Sequence, residues 1–345
     1  MNHEILETNL EQAEKNIINF WDQNFKSWPA AKFNWFYLKN IYGKALCWLI
    51  NETEQNHVVG TTVLFPRNFF YKGKTIRAAI TGDFGVDKKH RILGPALQLQ
   101  KAVIKKCDDR EFAFLYGFPN KNSEPVQKRA GFKLTGKSER FVKVLKSNDY
   151  LKRKIKPQIF AVLIAPIVNA VIRLTDKEHR YSSKFKTELT SKFDARFDRL
   201  WEKARQNFQF IGQRDAQFIK WRFADCPYID YKIYIVADSY DELIGYIVYY
   251  HTASTLNIAD VLAKDNNESL EYLLAEFLKY ARTIEAHAVS VLYMGNAFFR
   301  EKLKLFNFSE RADKRSIVAY ANENDQRKED IFNPQKWYFF EADND

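Results

Sequence analysis

The residues whose types and spacing could do chemistry lie in one stretch, GDFGVDKKHRILGPALQLQKAV, residues 82–103. Its pattern predicts a strand that runs through a basic turn into a helix with Pro95 in the first turn. The start of a helix exposes backbone amides and partial positive charge, which bind phosphate, and Gly94 leaves room for an anion there. Four basic residues belong to the same turn: Lys88, Lys89, His90 and Arg91. The stretch predicts a pyrophosphate site, although plain connectors share the pattern.

The same stretch resembles the signature of the GNAT superfamily of acyltransferases. That signature places Val near the end of the fourth strand, then Arg or Gln, two residues, Gly, one residue, and Gly or Ala; Val86, Arg91, Gly94 and Ala96 match it. The resemblance implies that acetyl-coenzyme A or another acyl-coenzyme A is the donor. The residues that it implies for donor binding are Phe84, Gly85, Val86, Arg91, Ile92, Leu93, Gly94, Pro95, Ala96 and Asn122.

A second match is NSEPVQKRAGF, residues 122–132, which resembles the strand-turn-helix of the same superfamily ending in a Gly-Phe pair. It implies that Asn120 or Asn122 lies beside the coenzyme A arm. Many relatives have a Tyr five residues before that Phe, where it protonates the departing thiolate, but Gln127 stands there in this chain. The proton must therefore come from another group or from water. The first match also departs from the family pattern, with Ile92 where Gly is frequent.

Amide formation from a thioester requires a neutral amine and a base that removes its proton. Asp83 is the candidate base, because it lies on the strand expected to flank the thioester, and its alternative is a solvent-facing or capping residue. Tyr116, on the following strand, could protonate the thiolate or orient the acceptor, and its alternative is a core aromatic. The histidines show no metal-ligand spacing, so we expect no metal.

The elements that must position these residues are predicted to form an α/β (α+β) fold of two tandem GNAT-like domains. Each domain is expected to be a mixed, mostly antiparallel sheet flanked by helices. The expected boundaries are 1–148 for the donor-binding domain, 149–195 for a basic and apolar helical connector, and 196–345 for a degenerate second copy. The duplication is indicated by Trp35 and Trp221, each of which precedes an aromatic-rich stretch and a strand.

The second copy lacks the phosphate-binding turn. Where the turn should fall, the chain reads KDNNESLEYLLAEF, residues 264–277, which has no Gly and carries acidic side chains that would repel a pyrophosphate. We therefore expect this half to bind no donor and to shape the acceptor pocket or support the first half.

The connector holds much of the positive charge of the chain. Residues 146–192 contain 11 Lys or Arg and 4 Asp or Glu, which accounts for +7 of the formal net charge of +11. Its apolar run, residues 160–174, is shorter than the ~20 residues that span a bilayer. A helix buried between the domains is the favoured interpretation. The alternative is a surface-lying anchor, in which residues 152–174 contact an anionic membrane.

The cysteine content and the N-terminal residues limit the function classes. Three widely spaced cysteines give neither a disulfide framework nor a zinc site, and the polar, acidic N-terminal residues do not resemble a signal peptide. We expect a cytoplasmic protein, or one peripheral to the inner face of the membrane. The leading function is N-acyl transfer to an amine of a small acceptor, and resemblance to tandem GNAT proteins suggests an amino sugar in surface polysaccharide assembly.

Two other functions stay open. A Fem-type transferase pairs two GNAT-like domains but takes an aminoacyl group from tRNA, and the net charge of +11 suits that polyanion. The intact turn at Arg91–Ala96 argues against it, so nucleic acid is not expected as a partner unless tRNA is the donor. The third function is a non-catalytic binding protein or scaffold, which the missing Tyr at Gln127 favours.

Overall fold

In the computed structural model the chain is described over residues 3–25, 29–52, 57–90, 93–181 and 185–345. Within these ranges the strands are β1 (His3–Thr8), β2 (Leu46–Glu52), β3 (His57–Tyr71), β4 (Lys74–Val86), β5 (Phe114–Gly117), β6 (Lys133–Val144), β7 (Lys186–Thr190), β8 (Phe210–Gly212), β9 (Lys232–Ala237), β10 (Leu243–Thr252), β11 (Thr255–Ala263), β12 (Ala288–Gly295), β13 (Ser309–Tyr320) and β14 (Trp337–Phe339). The α-helices are α1 (Leu10–Asn24), α2 (Leu93–Asp108), α3 (Glu124–Ala130), α4 (Asn148–Lys154), α5 (Gln158–Thr175), α6 (Ala195–Ala204), α7 (Ala216–Ile219), α8 (Glu268–Thr283), α9 (Ala297–Leu305) and α10 (Lys328–Ile331).

Local sequence explains the elements that frame the predicted donor site. β3 and β4 form a hairpin whose turn residues, Lys72 and Gly73, both have positive φ, as the tight turns of twisted hairpins require. In α2, Leu99, Val103 and Cys107 recur at helical spacing and are buried against the sheet. Both elements match the expectation of a meander followed by a helix.

The strands form one mixed sheet that runs through the whole chain. Its main path is β1-β2-β3-β4-β5-β13-β6-β12-β11-β10-β9-β7, and β8 and β14 attach beside it. The two halves exchange their last long strands, because β13 pairs with β5 and β6 pairs with β12, both antiparallel. The two halves therefore share one sheet, and the expected connector, residues 149–195, does not separate two sheets.

The order of elements in the first half recurs in the second half. β4 and β5 pair in parallel and are joined by α2, and β11 and β12 pair in parallel and are joined by α8. A short π-helical turn in each half carries a tryptophan, Trp35 or Trp221. The Trp35 indole donates to the Trp221 carbonyl oxygen at 2.7 Å, the reverse bond measures 3.4 Å, and the ring centroids lie 5.7 Å apart. Such reciprocal contacts are typical of a two-fold arrangement.

The last residues of the chain run back into the first half. β14 pairs with β12 and β8, and Asp343 beyond it is buried among arginines. Asp343 accepts hydrogen bonds from Arg67 at 3.2 Å and from Arg214 at 2.6 Å, and Arg214 also donates to Asp260 at 2.9 Å. Because Arg67 lies on β3 and Asp260 on β11, this buried network joins both halves to the C-terminal segment and positions Asp345.

The favoured interpretation of the connector, a helix buried between domains, is wrong. α5 buries only small side chains, Ala161 and Ala165, whereas Leu163, Ile167 and Leu174 are 66%, 68% and 86% exposed. It is the one helix of the described residues that is long and apolar enough to cross a membrane, judged by length and composition only.

Candidate active site

A gap opens between β4 and β5 because their pairing stops early. The two strands are parallel neighbours only from Ala78 and Phe114 to Thr81 and Gly117. β4 then continues to Val86 along β3, whereas the segment after β5 leads to α3. The gap holds an outer cavity of about 520 Å³ and an inner cavity of about 260 Å³, which share several lining residues.

The outer cavity brings together residues that the sequence assigned to donor binding. Its lining includes Phe84, Gly85 and Val86 from β4, Ala96 from α2, and Asn122 from the loop before α3. These elements are far apart in the sequence, so their convergence is produced by the fold. The cavity extends between the end of β4 and the first turn of α2.

The start of α2 faces solvent. Gly94 is exposed, and a side chain added at this position would meet no atom within 4 Å, whereas Pro95 is buried. Leu93 begins the helix, and the predicted donor residues Arg91 and Ile92 lie outside the described residues. Gly94 therefore leaves open space at the first turn of α2, and anion binding at this place stays a prediction.

Asp83 lies at a bulge in β4. Its φ is +42°, and the register between β3 and β4 shifts at this point. Lys32 donates to Oδ1 of Asp83 at 2.9 Å, and the Tyr37 hydroxyl donates to Oδ2 at 2.6 Å. The bulge turns the Asp83 side chain toward these two groups. Asp83 lines the inner cavity, but it is neither solvent-facing nor a cap, since both of its oxygens accept hydrogen bonds.

The charges around Asp83 hold one another in their ionised forms. Burial alone would lower the pKa of Lys32, but the nearby Asp83 and Asp345 carboxylates outweigh burial and raise it above the usual range. Burial, followed by the negative charge of Asp83, raises the pKa of Tyr37 well above its usual value. Lys32 therefore stays positive and Tyr37 stays a neutral hydrogen-bond donor at physiological pH.

Asp345 is a site residue that the sequence analysis missed. Its carboxylate lines the inner cavity and lies 3.3 Å from Lys32 Nζ. A β-carbon on Gly82 would come within 2.3 Å of Asp345 Oδ2, so only glycine allows this approach. No sequence signal links Asp345 to Asp83 across 261 intervening positions, because the path of β14 and the Arg67–Asp343 bond creates the contact.

Two residues that line the inner cavity each contain a buried polar atom. Gln127 and Thr81 both line it and are only 3% exposed. Oε1 of Gln127 and Oγ1 of Thr81 have no hydrogen-bond partner among the described residues. Unsatisfied polar atoms are costly in a protein interior, so a polar ligand in this cavity would relieve the cost.

Tyr116 does not line either cavity of the gap. Its side chain is fully buried, and its hydroxyl donates to the carbonyl oxygen of Asp343 at 2.9 Å. Burial also raises the pKa of Tyr116 well above its usual value. The expected role in protonating the thiolate or orienting the acceptor is therefore not supported. The contact gives Tyr116 a positioning role, because it holds the segment that ends at Asp345.

The equivalent helix start in the second half is occupied by the protein itself. The carboxylate of Asp265 accepts hydrogen bonds from the backbone amides of Asn267 and Ser269, at 2.9 and 3.2 Å. These bonds and the acidic residues of the first turn of α8 disfavour a phosphate there. The geometry agrees with the expectation that this half binds no donor.

One group of carboxylates and a histidine has the spacing of metal ligands: Asp176, Glu178 and His179. Asp176 and Glu178 are already paired with Lys143 and Arg282, both cations. A group whose charge is neutralised in this way is a buried ion-pair cluster and does not suit a metal.

Another cavity, of about 650 Å³, lies away from the gap. It is lined by Lys74, Arg77 and Arg110, near the start of β4 and the end of α2. None of the predicted donor or catalytic residues belongs to it. The chemistry therefore points to the two smaller cavities.

Solved structures share the fold over nearly the whole chain. A probable N-acyltransferase from Enterococcus faecalis V583 has a TM-score of 0.67 at 12% identity, covering 93% of this chain and 72% of that one. A GCN5-related N-acetyltransferase from Anabaena variabilis ATCC 29413 has a TM-score of 0.66 at 14% identity, covering 93% and 73%. Saccharomyces cerevisiae N-myristoyltransferase with bound myristoyl-coenzyme A has a TM-score of 0.58 at 11% identity, covering 92% and 82%.

These identities are low, so the likeness shows the mixed α/β fold. A search of the curated proteins finds no match to the sequence. The family model described as an acetyltransferase (GNAT) domain matches residues 8–135, which contain β4, the turn and α2. The sequence-based expectation of a GNAT-type acyltransferase is confirmed at this level, and enzymes of this family use acyl-coenzyme A donors. Residues 8–135 are therefore similar to an acetyltransferase (GNAT) domain.

Proposed function

We propose that the protein transfers an acyl group, acetyl in the simplest case, from coenzyme A to an amine of a small acceptor. The observation that carries the proposal is the gap between β4 and β5, whose outer cavity is lined by Phe84, Gly85, Val86 and Ala96. In this arrangement the pantetheine arm lies along β4, and the pyrophosphate meets the open start of α2. The thioester then reaches the inner cavity.

In the inner cavity Asp345 takes the proton of the attacking amine. Asp83 is less suited to this task, because Lys32 and Tyr37 already bond both of its oxygens. As the C–N bond forms and the C–S bond breaks, the sulfur leaves as a thiolate. Gln127 cannot protonate the thiolate, but its carboxamide can donate a hydrogen bond to it, and water then supplies the proton.

The acceptor is proposed to be cationic before it loses its proton. The Asp83 and Asp345 carboxylates line the inner cavity, and aromatic rings of Trp21, Phe25 and Phe118 complete the lining. Carboxylates and aromatic faces both attract ammonium groups. An amino sugar of a surface polysaccharide is one candidate and rests on resemblance alone.

The test is release of the coenzyme A thiol from acetyl-coenzyme A, measured with a panel of amines that includes glucosamine and simple alkylamines. The proposal expects thiol release that depends on the amine and a product heavier by one acetyl group. No thiol release with any amine, together with tight binding of the donor, would favour the scaffold. Binding of aminoacyl-tRNA with a steep salt dependence, and none of acetyl-coenzyme A, would favour the Fem-type reaction.

We also propose that the protein works at an anionic membrane surface, on its cytoplasmic side. The observation that supports this location is the exposed apolar face of α5, flanked by Lys152, Lys156 and Arg173, which are exposed as well. Large exposed apolar patches usually mark an interaction surface, and basic residues beside them suit anionic headgroups.

The geometry of α5 suits a helix that lies on the membrane. Asn169 accepts a hydrogen bond from the Ser147 amide at 2.7 Å and donates to Asn148 at 3.0 Å, which fixes one face of α5 on the fold. The opposite face carries the large apolar side chains along its length. With 18 residues, α5 rises roughly 27 Å, less than the ~30 Å of a bilayer core.

A further inference from the structure

Asp345 also lines a separate cavity of about 180 Å³, which both halves of the chain help to form. This volume corresponds to roughly six water molecules, enough for a phosphate or a carboxylate. Its lining includes three arginines and three tyrosines: Arg140, Arg222, Arg315, Tyr228, Tyr231 and Tyr250. The cavity therefore adjoins the inner cavity of the gap through one shared residue.

Arg222 is the most buried of the three arginines and is only 5% exposed. Its guanidinium donates to main-chain oxygens, with the shortest bond, 3.2 Å, to Asn344, and it forms no ion pair with a carboxylate of the described residues. The rings of Trp35 and Phe36 lie within 6 Å of it. Aromatic faces offset only part of the cost of burying a cation, so an anion in the cavity would be stabilised.

Three arginines and two carboxylates, those of Glu341 and Asp345, line the cavity, so its lining carries one net positive charge. Arg315 is exposed, and its side chain makes no hydrogen bond or ion pair with another described residue, whereas Arg140 is balanced by Asp313 at 2.8 Å. Glu341 faces the same space and accepts a hydrogen bond from Tyr250 at 3.3 Å. Burial raises the pKa of the Glu341 carboxyl, although Arg222 acts against this shift.

We propose that this cavity binds an anionic group of the acceptor, so that the acceptor is a small amine that also carries a phosphate or a carboxylate. Arg222 and Arg315 hold the anion, and the amine extends past Asp345 into the inner cavity, where the thioester arrives. The acceptor role rests on the proposed acyl transfer, but the anion site itself does not. Phosphate and carboxylate share the chemistry that arginine recognises, through paired N–H donors.

The experiment compares three amines by calorimetry with the full-length protein: phosphoethanolamine, β-alanine and ethanolamine. The two anionic amines should bind about tenfold more tightly than ethanolamine. Arg315→Gln should remove this advantage and leave the fold unchanged, because Arg315 is exposed. Arg311→Gln, on the same strand β13 but outside the cavity, is the matched control and should preserve it.

Each outcome decides one claim. A larger gain for phosphoethanolamine than for β-alanine would assign the site to phosphate, and the reverse would assign it to carboxylate. Equal binding of all three amines, or an advantage that survives Arg315→Gln, would overturn the anion site. Preferred binding of an anionic amine without any release of thiol from acetyl-coenzyme A would refute the acyl transfer and leave the anion site standing.

Discussion

Two carboxylates lie side by side at the end of the gap, and their surroundings give them different tasks. Asp83 is held between Lys32 and Tyr37, and its side chain is 8% exposed. Asp345 shares only Lys32 among these partners, and its side chain is 18% exposed. The sequence singled out Asp83 as the base, whereas the contacts favour Asp345 for this role and give Asp83 the role of fixing Lys32.

Asp345→Asn tests the proton acceptor directly. The change keeps the shape of the side chain and removes its negative charge, so we expect kcat to fall roughly 100-fold with little change in donor affinity. Steady-state kinetics and donor titration measure the two quantities. Asp109→Asn, at an exposed position outside the cavities, is the control. An unchanged kcat would mean that Asp345 takes no proton.

Asp83→Asn should act mainly on stability. The change breaks the buried ion pair between Lys32 and Asp83 and leaves Asp345 as the remaining carboxylate partner of Lys32. We expect the loss of this pair to lower the free energy of unfolding by about 3–5 kcal/mol. Denaturant unfolding measures this loss. A variant as stable as the wild type, with catalysis abolished, would return the role of base to Asp83.

At the scale of elements, short-range patterns predicted the strands and the helix that frame the candidate donor site. The β3–β4 hairpin, the turn and α2 are each set by neighbouring residues, such as Lys72 and Gly73 in the turn and Leu99 in the core face. The environment of α5 could not be predicted in the same way, because an apolar run of this length forms a helix both in a core and on a surface. Whether other elements cover it depends on the fold of the whole chain.

The exposed face of α5 predicts binding to anionic vesicles. The double change Leu163→Glu, Ile167→Glu puts two charges on residues that are 66% and 68% exposed, so the fold should tolerate it. We expect at least a tenfold loss of binding to phosphatidylglycerol vesicles in a sedimentation assay, and weak binding of the wild type to phosphatidylcholine.

The matched control carries the same two charges elsewhere, at Leu189 and Tyr240, which are 49% and 88% exposed. This control should bind like the wild type. Two outcomes would contradict the membrane proposal and assign the face to a protein contact. In the first, the wild-type protein does not bind anionic vesicles. In the second, it forms a dimer that the double change at Leu163 and Ile167 dissociates.

At the scale of the whole molecule, the exchanged strands make the two halves depend on each other. β13 supplies a neighbour to β5, and β6 supplies one to β12, while Asp343 joins Arg67 to Arg214 in the interior. The weak internal repeat in the sequence predicted two similar halves. It did not predict the exchange or the place of Asp345, because strand order and long-range ion pairs leave no periodic pattern in a single sequence.

Arg214→Met tests this mutual dependence. The change leaves Asp260 without its arginine in a fully buried position, so we expect a loss of about 3–5 kcal/mol. The whole chain should still unfold in one calorimetric transition, at a lower temperature. Arg199→Met, which breaks an exposed pair with Glu242, should change stability by less than about 1 kcal/mol. Two separate transitions would show that the halves fold independently.

The central claim is that the open start of α2 holds the diphosphate of an acyl-coenzyme A. Calorimetric titration of acetyl-coenzyme A into Gly94→Trp tests it, with Lys105→Trp as the control on the same exposed face, about 16 Å further along the helix. The account predicts that the wild type and Lys105→Trp bind the donor, and that Gly94→Trp keeps its thermal stability but loses binding at least 100-fold. Equal affinity in Gly94→Trp and the wild type would contradict the account.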